Sequence, residues 1–341
     1  VSAGRGGAVM QVIRASVMGF CMGVKRAVEK AEQALDEAAT AAGQAGGACS
    51  AGGTGGPALY EAGKPAVTEA TAAADGGCPA ARVFSLGPLI HNPTVLSDFE
   101  ERGLTILSPD SSCFPDVQGA SVIIRAHGTT PRVMAELEKA GAKVIDATCP
   151  KVHLSQKRVR EWSGKGYDIV IAGDRNHGEV TSIASFAECA PPSGGRVFVV
   201  QDAAEADRLA AEGGLSDRCV LIAQTTFSPA EFERIRCVLE EKTGGIRVFN
   251  SICSATMERQ DALKALAEQV EGIIVIGGKS SANTRRLYER AKRLVPLADL
   301  IEDASMLRQE FFRLERVGIT AGASTPEAVV KEVEETLLRE A

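Results

Sequence analysis

Short apolar runs alternate with amphipathic stretches along this chain, as expected of an α/β protein. One unit shows the pattern clearly. Its β-branched residues 144–145 predict a buried strand that ends at Asp146. An amphipathic helix is predicted over 152–162, and a second apolar run at 167–172 predicts another strand before a turn at Gly173. The unit is thus strand, helix, strand, with polar residues placed where the strands end.

Cys149 lies at the junction between the first strand of this unit and the helix. Thr148 is expected to cap the helix, and Pro150 suits its first position because proline lacks the N–H that would be unpaired there. We expect the positive end of the helix dipole to lower the pKa of the Cys149 thiol. The thiolate, which is the form that binds metals, would then be favoured.

The same unit is repeated elsewhere in the chain. The segment around Cys253 aligns without a gap with the segment around Cys149. A stretched third copy has its strand at 11–15 and places Cys21 before a helix at 25–35. Internal repetition of this kind is stronger evidence than any single motif.

Polar residues also recur at matching positions of the three copies. In each copy a strand ends in a glycine, and a polar residue follows that glycine at the same spacing: His91, His177 and Ser281. Glu179 then aligns with Asn283. A further strand in each copy ends in a small polar patch before a helix-starting proline; the patches contain His127, Thr225 and Ser324. We infer that these groups and the cysteines face a common centre, since ligands bind beyond the carboxyl ends of parallel strands.

The predicted fold is therefore α/β, with three pseudo-repeated α/β units around a central site. We place the units at 10–141, 142–245 and 246–325, followed by a C-terminal helix at 326–341. The first unit contains a Gly/Ala-rich insertion at 40–81. This insertion is too poor in large apolar residues to offset its ordering entropy, so we expect it to be mobile.

The composition is that of an ordinary globular protein, with 45% apolar residues. The formal net charge of −6 gives no basic footprint, so nucleic acid is not an expected partner. No apolar run approaches the roughly 20 residues needed to cross a bilayer, so no membrane association is expected. The N-terminus lacks the apolar core of a signal peptide, and we therefore expect a cytoplasmic protein.

The chain has nine cysteines, and their placement does not suggest disulfides. Cys219 opens a predicted strand and Cys237 falls in a helical pattern, where each would serve as a small apolar residue. The three in-register cysteines could instead hold one metal centre; alternatively, they are buried helix-start residues of a duplicated fold. Thiolates select zinc or iron–sulfur clusters. Three thiolates on a cubane cluster would leave one iron open as a Lewis acid.

Three of the four histidines lie at strand ends in the repeat register, whereas His153 is in mid-helix and has no counterpart. Together with neighbouring serines and an asparagine, they offer hydrogen-bond donors near helix N-termini, which fits a small polyanion such as a phosphate ester. The set consists of His91, His127, His177, Ser281, Asn283 and Ser324. Glu179 is its only acid. If its segment is extended, Glu179 faces the same side as His177 and could donate a proton; a solvated loop acid is the alternative.

Nine segments carry these residues in order: GFCMGVKRAVEKAE, GPLIHNPTVLSDFEERG, RAHGTTP, DATCPKV, HGEV, QTTFS, NSICSATMERQ, GGKSSANTRRL and TAGAST. Together they resemble the LytB/IspH family of 4-hydroxy-3-methylbut-2-enyl diphosphate reductases. The resemblance runs from about residue 10 to the C-terminus, apart from the insertion. It implies an iron–sulfur reductase that removes the allylic hydroxyl of this diphosphate to give isopentenyl and dimethylallyl diphosphate, in the non-mevalonate synthesis of isoprenoid precursors.

The resemblance also implies a three-lobed arrangement around one [4Fe–4S] cluster per chain, held by Cys21, Cys149 and Cys253 with one iron open. The residues that it implies for diphosphate binding are His91, His127, Ser281, Asn283 and Ser324. His177, Glu179 and Thr225 match the positions around the substrate hydroxyl, with Glu179 in proton delivery.

The chain departs from the family pattern in two places. Ala282 stands where the family commonly has a second serine, and Ser280 or Thr284 would have to supply the missing hydroxyl. The insertion at 40–81 is also longer than expected.

No G-x-G-x-x-G fingerprint follows a strand, so electrons are expected from an external flavodoxin or ferredoxin. Two other classes stay open. A hydratase-like iron–sulfur enzyme would use the open iron only as a Lewis acid and would turn over without reductant. A non-catalytic zinc protein would need a fourth ligand, and no fourth cysteine lies in register.

Overall fold

Twelve strands, ten α-helices and two short 3-10 helices make up the computed structural model, which describes residues 10–46, 82–90, 92–109, 114–188, 194–243 and 245–340. The strands are β1 (Gln11–Arg14), β2 (Val83–Leu86), β3 (Leu104–Leu107), β4 (Ser121–Ile124), β5 (Lys143–Asp146), β6 (Asp168–Ala172), β7 (Val197–Val200), β8 (Cys219–Ala223), β9 (Arg247–Phe249), β10 (Gly272–Ile276), β11 (Leu297–Ile301) and β12 (Arg316–Ala321). The helices are α1 (Met22–Gly46), α2 (Pro93–Glu101), α3 (Pro131–Lys139), α4 (Pro150–Gly164), α5 (Gly178–Ser185), α6 (Ala203–Ala211), α7 (Pro229–Thr243), α8 (Ser254–Ala267), α9 (Ala282–Leu294) and α10 (Glu327–Glu340).

The strands form three four-stranded parallel sheets of the same topology. Their orders are β3-β2-β4-β5, β7-β6-β8-β9 and β11-β10-β12-β1. The register is also the same, since Val83 pairs with Ser121, Ile169 with Val220 and Ile273 with Gly318. The prediction of three repeated α/β units is confirmed. We call each sheet with the helices on its faces a lobe, numbered in the order just given.

Each sheet is buried on both faces, which explains why its central strands read as continuous apolar runs. In β6, Ile169 and Ile171 pack against α4, whereas Val170 and Ala172 pack against α7 on the other side. Alternate residues of a strand point to opposite faces, so one five-residue run supplies two cores. Among the residues described, no helix is long and apolar enough to cross a membrane.

The chain passes from one lobe to the next at each in-register cysteine. The edge strand β5 belongs to the first sheet, yet α4 after it packs on the second sheet through Val152 and Val159. Likewise β9 leads into α8, which packs on the third sheet through Leu263. The N-terminal strand β1 belongs to the third sheet, and α1 returns to the first lobe through Ala27 and Ala31. The three crossings therefore meet between the lobes.

The sheets divide the chain differently from the predicted units 10–141, 142–245 and 246–325. The strand that opens each sequence unit, namely β1, β5 or β9, pairs in the sheet of the neighbouring lobe. The predicted boundaries follow the sequence repeat. In the structure the chain leaves one sheet for the next at each of the in-register cysteines, because the edge strand before the cysteine pairs with the preceding sheet. The predicted C-terminal helix is present as α10.

Helix α1 and two edge strands differ from the sequence prediction. Helix α1 continues to Gly46, past both the predicted end at residue 35 and the predicted start of the insertion. Residues 47–81, which hold the rest of that insertion, lie outside the described part of the chain. The edge strands β3 and β11 were not predicted, because neither has a continuous apolar run: Thr105 is exposed and Asp299 half-buried.

Candidate active site

The three in-register cysteines occupy equivalent positions at helix N-termini. Cys149 and Cys253 are the N-cap residues of α4 and α8, and Cys21 directly precedes α1. The backbone N–H of each cysteine donates to a carbonyl two residues beyond the third strand of a sheet. The acceptors for Cys21, Cys149 and Cys253 are Ala323 (3.1 Å), Ala126 (3.0 Å) and Thr225 (2.8 Å). The sequence repeat is thus preserved in the hydrogen bonds that fix the thiols.

Two expectations about Cys149 were wrong. Thr148 does not cap α4, since Cys149 occupies the N-cap position and no side chain that the structure describes caps the helix; the Thr148 N–H instead donates to the Asp146 carboxylate at 2.8 Å. Burial raises the pKa of the Cys149 thiol, and hydrogen bonds from the backbone N–H groups of Lys151 and Val152 only partly oppose this effect. Desolvation of the thiolate therefore outweighs the helix N-terminus. The expected Pro150 at the first helical position is confirmed.

One cavity of about 100 Å³ lies where the crossings meet. It is lined by all three cysteines and by every other predicted site residue that the structure describes. Those residues are His127, His177, Glu179, Thr225, Ser281, Asn283 and Ser324. His91 lies outside the described residues, although its neighbours Leu89 and Ile90 line the same cavity. Residues from all three lobes therefore converge on one site.

Soft thiol donors and a close-fitting backbone make the cavity suitable for a metal centre. Gly23, in the first turn of α1, lies directly against Cys149: a Cβ added there would meet Cys149 Sγ at 2.9 Å. Only glycine leaves the thiol this room. Within the described ranges, no three His, Cys, Asp or Glu side chains are grouped as ligands of a single metal ion.

Glu179 is held by Thr225 at the base of the cavity. Its carboxylate accepts the Thr225 backbone N–H at 2.6 Å and the Thr225 hydroxyl at 2.8 Å, and only 2% of the residue is exposed. Burial raises the pKa of Glu179, while the two hydrogen bonds from Thr225 and the charge of Arg286 act in the opposite direction. The carboxyl group is therefore set up to retain a proton.

The segment that carries His177 and Glu179 opens helix α5, so the extended conformation that was considered for it is not present. His177 is its N-cap, and its Nδ1 accepts the backbone N–H of Glu179 at 3.2 Å. Nδ1 is thus an acceptor, so the proton of the neutral ring sits on Nε2. The ring of His127, from the first lobe, packs edge-on against His177 with centroids 5.0 Å apart.

Polar groups suited to an anion gather at the N-terminus of α9. Ser281 is its N-cap, and the Nδ2 amide of Asn283 is buried without a hydrogen bond to any residue that the structure describes. Ser324 lies opposite them, 5% exposed. A helix N-terminus with unused donors favours a phosphate group.

The expected replacements for the missing serine do not reach this site. Ala282 itself lines the cavity, but neither Ser280 nor Thr284 does. Ser280 is exposed in an adjoining pocket, and Thr284 is fully buried on α9, against Gly277 and Gly322. The cavity wall at Ala282 is therefore apolar.

Thr226 is a cavity residue that the sequence analysis missed. In the common register of the sheets, Thr226 is the counterpart of His127 and Ser324, and all three line the cavity. The sequence analysis named Thr225 from the same polar patch, and both threonines line the cavity.

Arg259 was also missed. It is 3% exposed, its guanidinium donates to the carbonyls of Gly19 (2.5 Å) and Ala255 (2.8 Å), and it lines the cavity. Burial lowers its pKa, and the nearby thiols of Cys21 and Cys253 oppose that shift. The sequence could have indicated Arg259, because this charged residue lies on the apolar face of α8, one turn before the buried Leu263.

The two other cysteines that the structure describes, and His153, lie outside the cavity. Cys219 is buried in β8 as expected, but Cys237 is exposed on α7 and does not serve as an apolar core residue. His153 Nε2 is 3.0 Å from the Asp146 carboxylate on the flank of α4.

The fold and the site together define a class of protein: a three-lobed α/β protein whose central cavity is lined by three thiols and by polar groups at a helix N-terminus. The chain belongs to the LytB family, whose sequence profile, described as LytB protein, matches residues 64–338.

Similar proteins agree with this assignment. The chain is 38% identical over 335 residues to a 4-hydroxy-3-methylbut-2-enyl diphosphate reductase of Geobacter sulfurreducens, covering 96% of this chain and 97% of that one. It is 44% identical over 259 residues to the protein of the same name from Treponema denticola, covering 75% and 87%.

Solved structures show the same fold. The structure of (E)-4-hydroxy-3-methyl-but-2-enyl diphosphate reductase, described as the terminal enzyme of the non-mevalonate pathway, is similar with a TM-score of 0.63. Its sequence identity is 33%, over 97% of this chain and 100% of that chain. A reductase structure from Plasmodium falciparum shares the fold with a TM-score of 0.74 at 24% identity, over 96% and 87%.

Proposed function

We propose that this protein reduces 4-hydroxy-3-methylbut-2-enyl diphosphate to isopentenyl and dimethylallyl diphosphate. The observation that carries the proposal is one cavity that brings together three thiols, a protonatable carboxyl group and a set of anion-binding donors. The names of the similar reductases from G. sulfurreducens and T. denticola support it. In the reaction the substrate takes up two electrons and two protons, its C–O bond breaks, and the oxygen leaves as water.

A [4Fe–4S] cluster, one per chain, fits the donor set. Cys21, Cys149 and Cys253 would hold three of its irons, and the buried cation Arg259 would offset part of the negative charge of the thiolates. When bound, the cluster supplies single electrons and an open iron that acts as a Lewis acid toward the substrate oxygen.

The diphosphate would lie at the N-terminus of α9. Ser281, Asn283 and Ser324 face that position from the third lobe, and His127 faces it from the first. His91 is proposed to join them, on the strength of its place in the repeat. The buried Nδ2 of Asn283 would gain a hydrogen-bond acceptor in the substrate, which favours binding because a buried unpaired donor is costly.

Glu179 would provide a proton for the departing hydroxyl. The Thr225 hydroxyl is hydrogen-bonded to Glu179 and lines the cavity, so it can pass a proton between the carboxyl group and the substrate oxygen. His177, with its proton on Nε2, would donate a hydrogen bond to the same oxygen. Electrons would come from an external flavodoxin or ferredoxin.

An anaerobic experiment tests this function against the two other classes. The purified, iron-loaded protein is analysed for iron and zinc, examined by visible and EPR spectroscopy, and assayed with the diphosphate with and without dithionite-reduced methyl viologen. We expect about four irons per chain, a reducible cluster signal, and conversion only when reductant is present. Turnover without reductant would support a hydratase, and one zinc per chain without iron would support a structural zinc protein.

A further inference from the structure

A wide groove between the second and third lobes concentrates positive charge. It is lined by seven basic and three acidic side chains, although the chain as a whole has a formal net charge of −6. Its walls are the start of α7 and the outer faces of α8 and α9. A local excess of one sign in a chain of the other sign attracts a partner of opposite charge.

Most of this charge is not neutralised within the protein. Arg286 is paired with Asp174 at 2.8 Å, and Arg234 is paired with Glu231. The other cations that line the groove form no ion pair with any residue that the structure describes. Four of these are exposed side chains: Lys264, Lys279, Arg285 and Arg293. They surround the groove as a rim.

Part of the groove lining is apolar, and the groove lies next to the cavity. Phe227 is buried beneath the Arg286 guanidinium, which lies 5.0 Å from the ring centre, and Leu294, also on the groove lining, is 38% exposed. Ala282 lines both the groove and the thiol-lined cavity. Gln260, on the groove wall, is two helical turns from Cys253 on α8, or about 10 Å at a rise of about 1.5 Å per residue.

We propose that this groove is the docking surface for an acidic one-electron carrier protein. A groove lined by exposed, unneutralised cations suits a short-lived complex with an acidic protein, because the opposite charges steer the encounter of the two partners. The thin wall at Ala282 would bring the carrier's redox group close to the cysteines. The inference rests on the proposed function, because each turnover would need two successive one-electron deliveries from a reduced carrier, which is oxidised once at each delivery.

Charge reversal of the rim tests the docking surface. The triple variant Lys264→Glu, Lys279→Glu, Arg293→Glu changes exposed residues that do not line the cavity. With reduced flavodoxin as donor, we expect kcat/KM to fall at least about tenfold, because electrostatic steering contributes about 10- to 1,000-fold to association rates. Flavodoxin binding to the iron-loaded protein, measured by calorimetry at low salt, should weaken in parallel. Turnover with dithionite-reduced methyl viologen should stay within about twofold of wild type, since a small reductant needs no docking surface.

Lys139→Glu is the matched control for Lys264→Glu. Both are exposed lysines in the last turn of a helix, so reversal costs each helix the same favourable interaction with its dipole, but Lys139 lies in the first lobe. We expect only the Lys264 variant to weaken flavodoxin binding. Equal losses in both variants, unchanged binding in the triple variant, or binding of a short RNA instead of flavodoxin would each overturn the docking surface. If the wild-type protein did not convert the diphosphate with reduced methyl viologen, the proposed function would be overturned instead of the docking surface.

Discussion

Glu179 is the one acidic side chain that lines the cavity among the residues described. Two hydrogen bonds from Thr225 fix its carboxyl group, and burial raises its pKa. A raised pKa extends the pH range over which the carboxyl group keeps a proton, as a general acid requires. Burial of Glu179 thus raises its pKa, and the raised pKa suits this carboxyl group to donate a proton.

Replacing Glu179 by glutamine separates the hydrogen bonding of this side chain from its ability to donate a proton. The amide is nearly isosteric and can keep a hydrogen bond to Thr225, but it cannot give up a proton. We expect kcat with methyl viologen to fall about a hundredfold or more, with KM and iron content unchanged, since general acids contribute about 10²–10⁴-fold. Glu188→Gln, on an exposed residue just beyond α5, is the control. Near-normal turnover of the Glu179 variant would remove this residue from the mechanism.

The pH dependence of the wild type gives an independent test of the same residue. Because the pKa of Glu179 is raised, the protonated form persists above the usual carboxyl range. We expect kcat to be level at lower pH and to decline as pH rises through that raised pKa. Glu179→Gln should lose this decline. A decline that persists unchanged in the variant would assign it to another group.

Sequence alone gave the identity of these residues but not their geometry. The gapless repeat placed His177 and Glu179 correctly, because insertions had not disturbed the spacing from Gly173. Their conformation was missed because Gly178 is a poor helix former, yet it is the first residue of α5. The packing of α5 against α4, which local propensity does not report, holds the helix in place.

At the scale of single elements, the first turn of α1 shows a conflict between helix propensity and the site. Alanine at position 23 would favour the helix by up to about 1 kcal/mol over glycine. A Cβ there would, however, lie 2.9 Å from Cys149 Sγ. Glycine at position 23 thus leaves space for the Cys149 thiol, although alanine would make the helix more stable.

Gly23→Ala should therefore lower iron content without destabilising the iron-free protein. We expect the loaded variant to retain less than about half of the wild-type iron, while the melting temperature of the iron-free form stays the same or rises slightly. Met22→Ala, on the exposed neighbouring residue of the same turn, is the control and should load fully. Full iron loading of Gly23→Ala would show that Cys149 can move away at no cost.

The elements that were hardest to predict are those set by their neighbours. The strands β6, β8 and β10 are buried on both faces, and their continuous apolar runs identified them in advance. The edge strands β3 and β11 meet solvent or polar neighbours, so their patterns are mixed. A strand that is buried on both faces can be recognised from its continuous apolar run. An edge strand, which is held mainly by pairing with its neighbour, rarely has such a pattern.

At the scale of the whole molecule, the three crossings make the site depend on every lobe at once. The N-terminal strand β1 joins the third sheet beside β12, although more than three-quarters of the chain separates them. No local pattern could have indicated this pairing, because it is set by the closure of the three lobes around their centre. The repeat predicted the equivalence of the units but not which sheet each first strand would join.

A centre held by one cysteine from each crossing should stabilise the whole molecule. A ligand that binds only the folded state raises the free energy of unfolding, so removal of iron by a chelator should lower the melting temperature, by at least about 5 °C. Differential scanning calorimetry of the loaded and iron-free protein under anaerobic conditions measures this shift. Equal melting temperatures would mean that iron does not bridge the lobes.

The most direct measurement of the central claim is the iron content of single cysteine variants. We predict that Cys21→Ser, Cys149→Ser and Cys253→Ser each lose most of their iron and their reductase activity after anaerobic reconstitution, because each removes one of three ligands. Cys237→Ser, which changes an exposed cysteine on α7, should keep both. Full iron content in all three of the first variants would contradict the assignment of one metal centre to the meeting point of the three lobes.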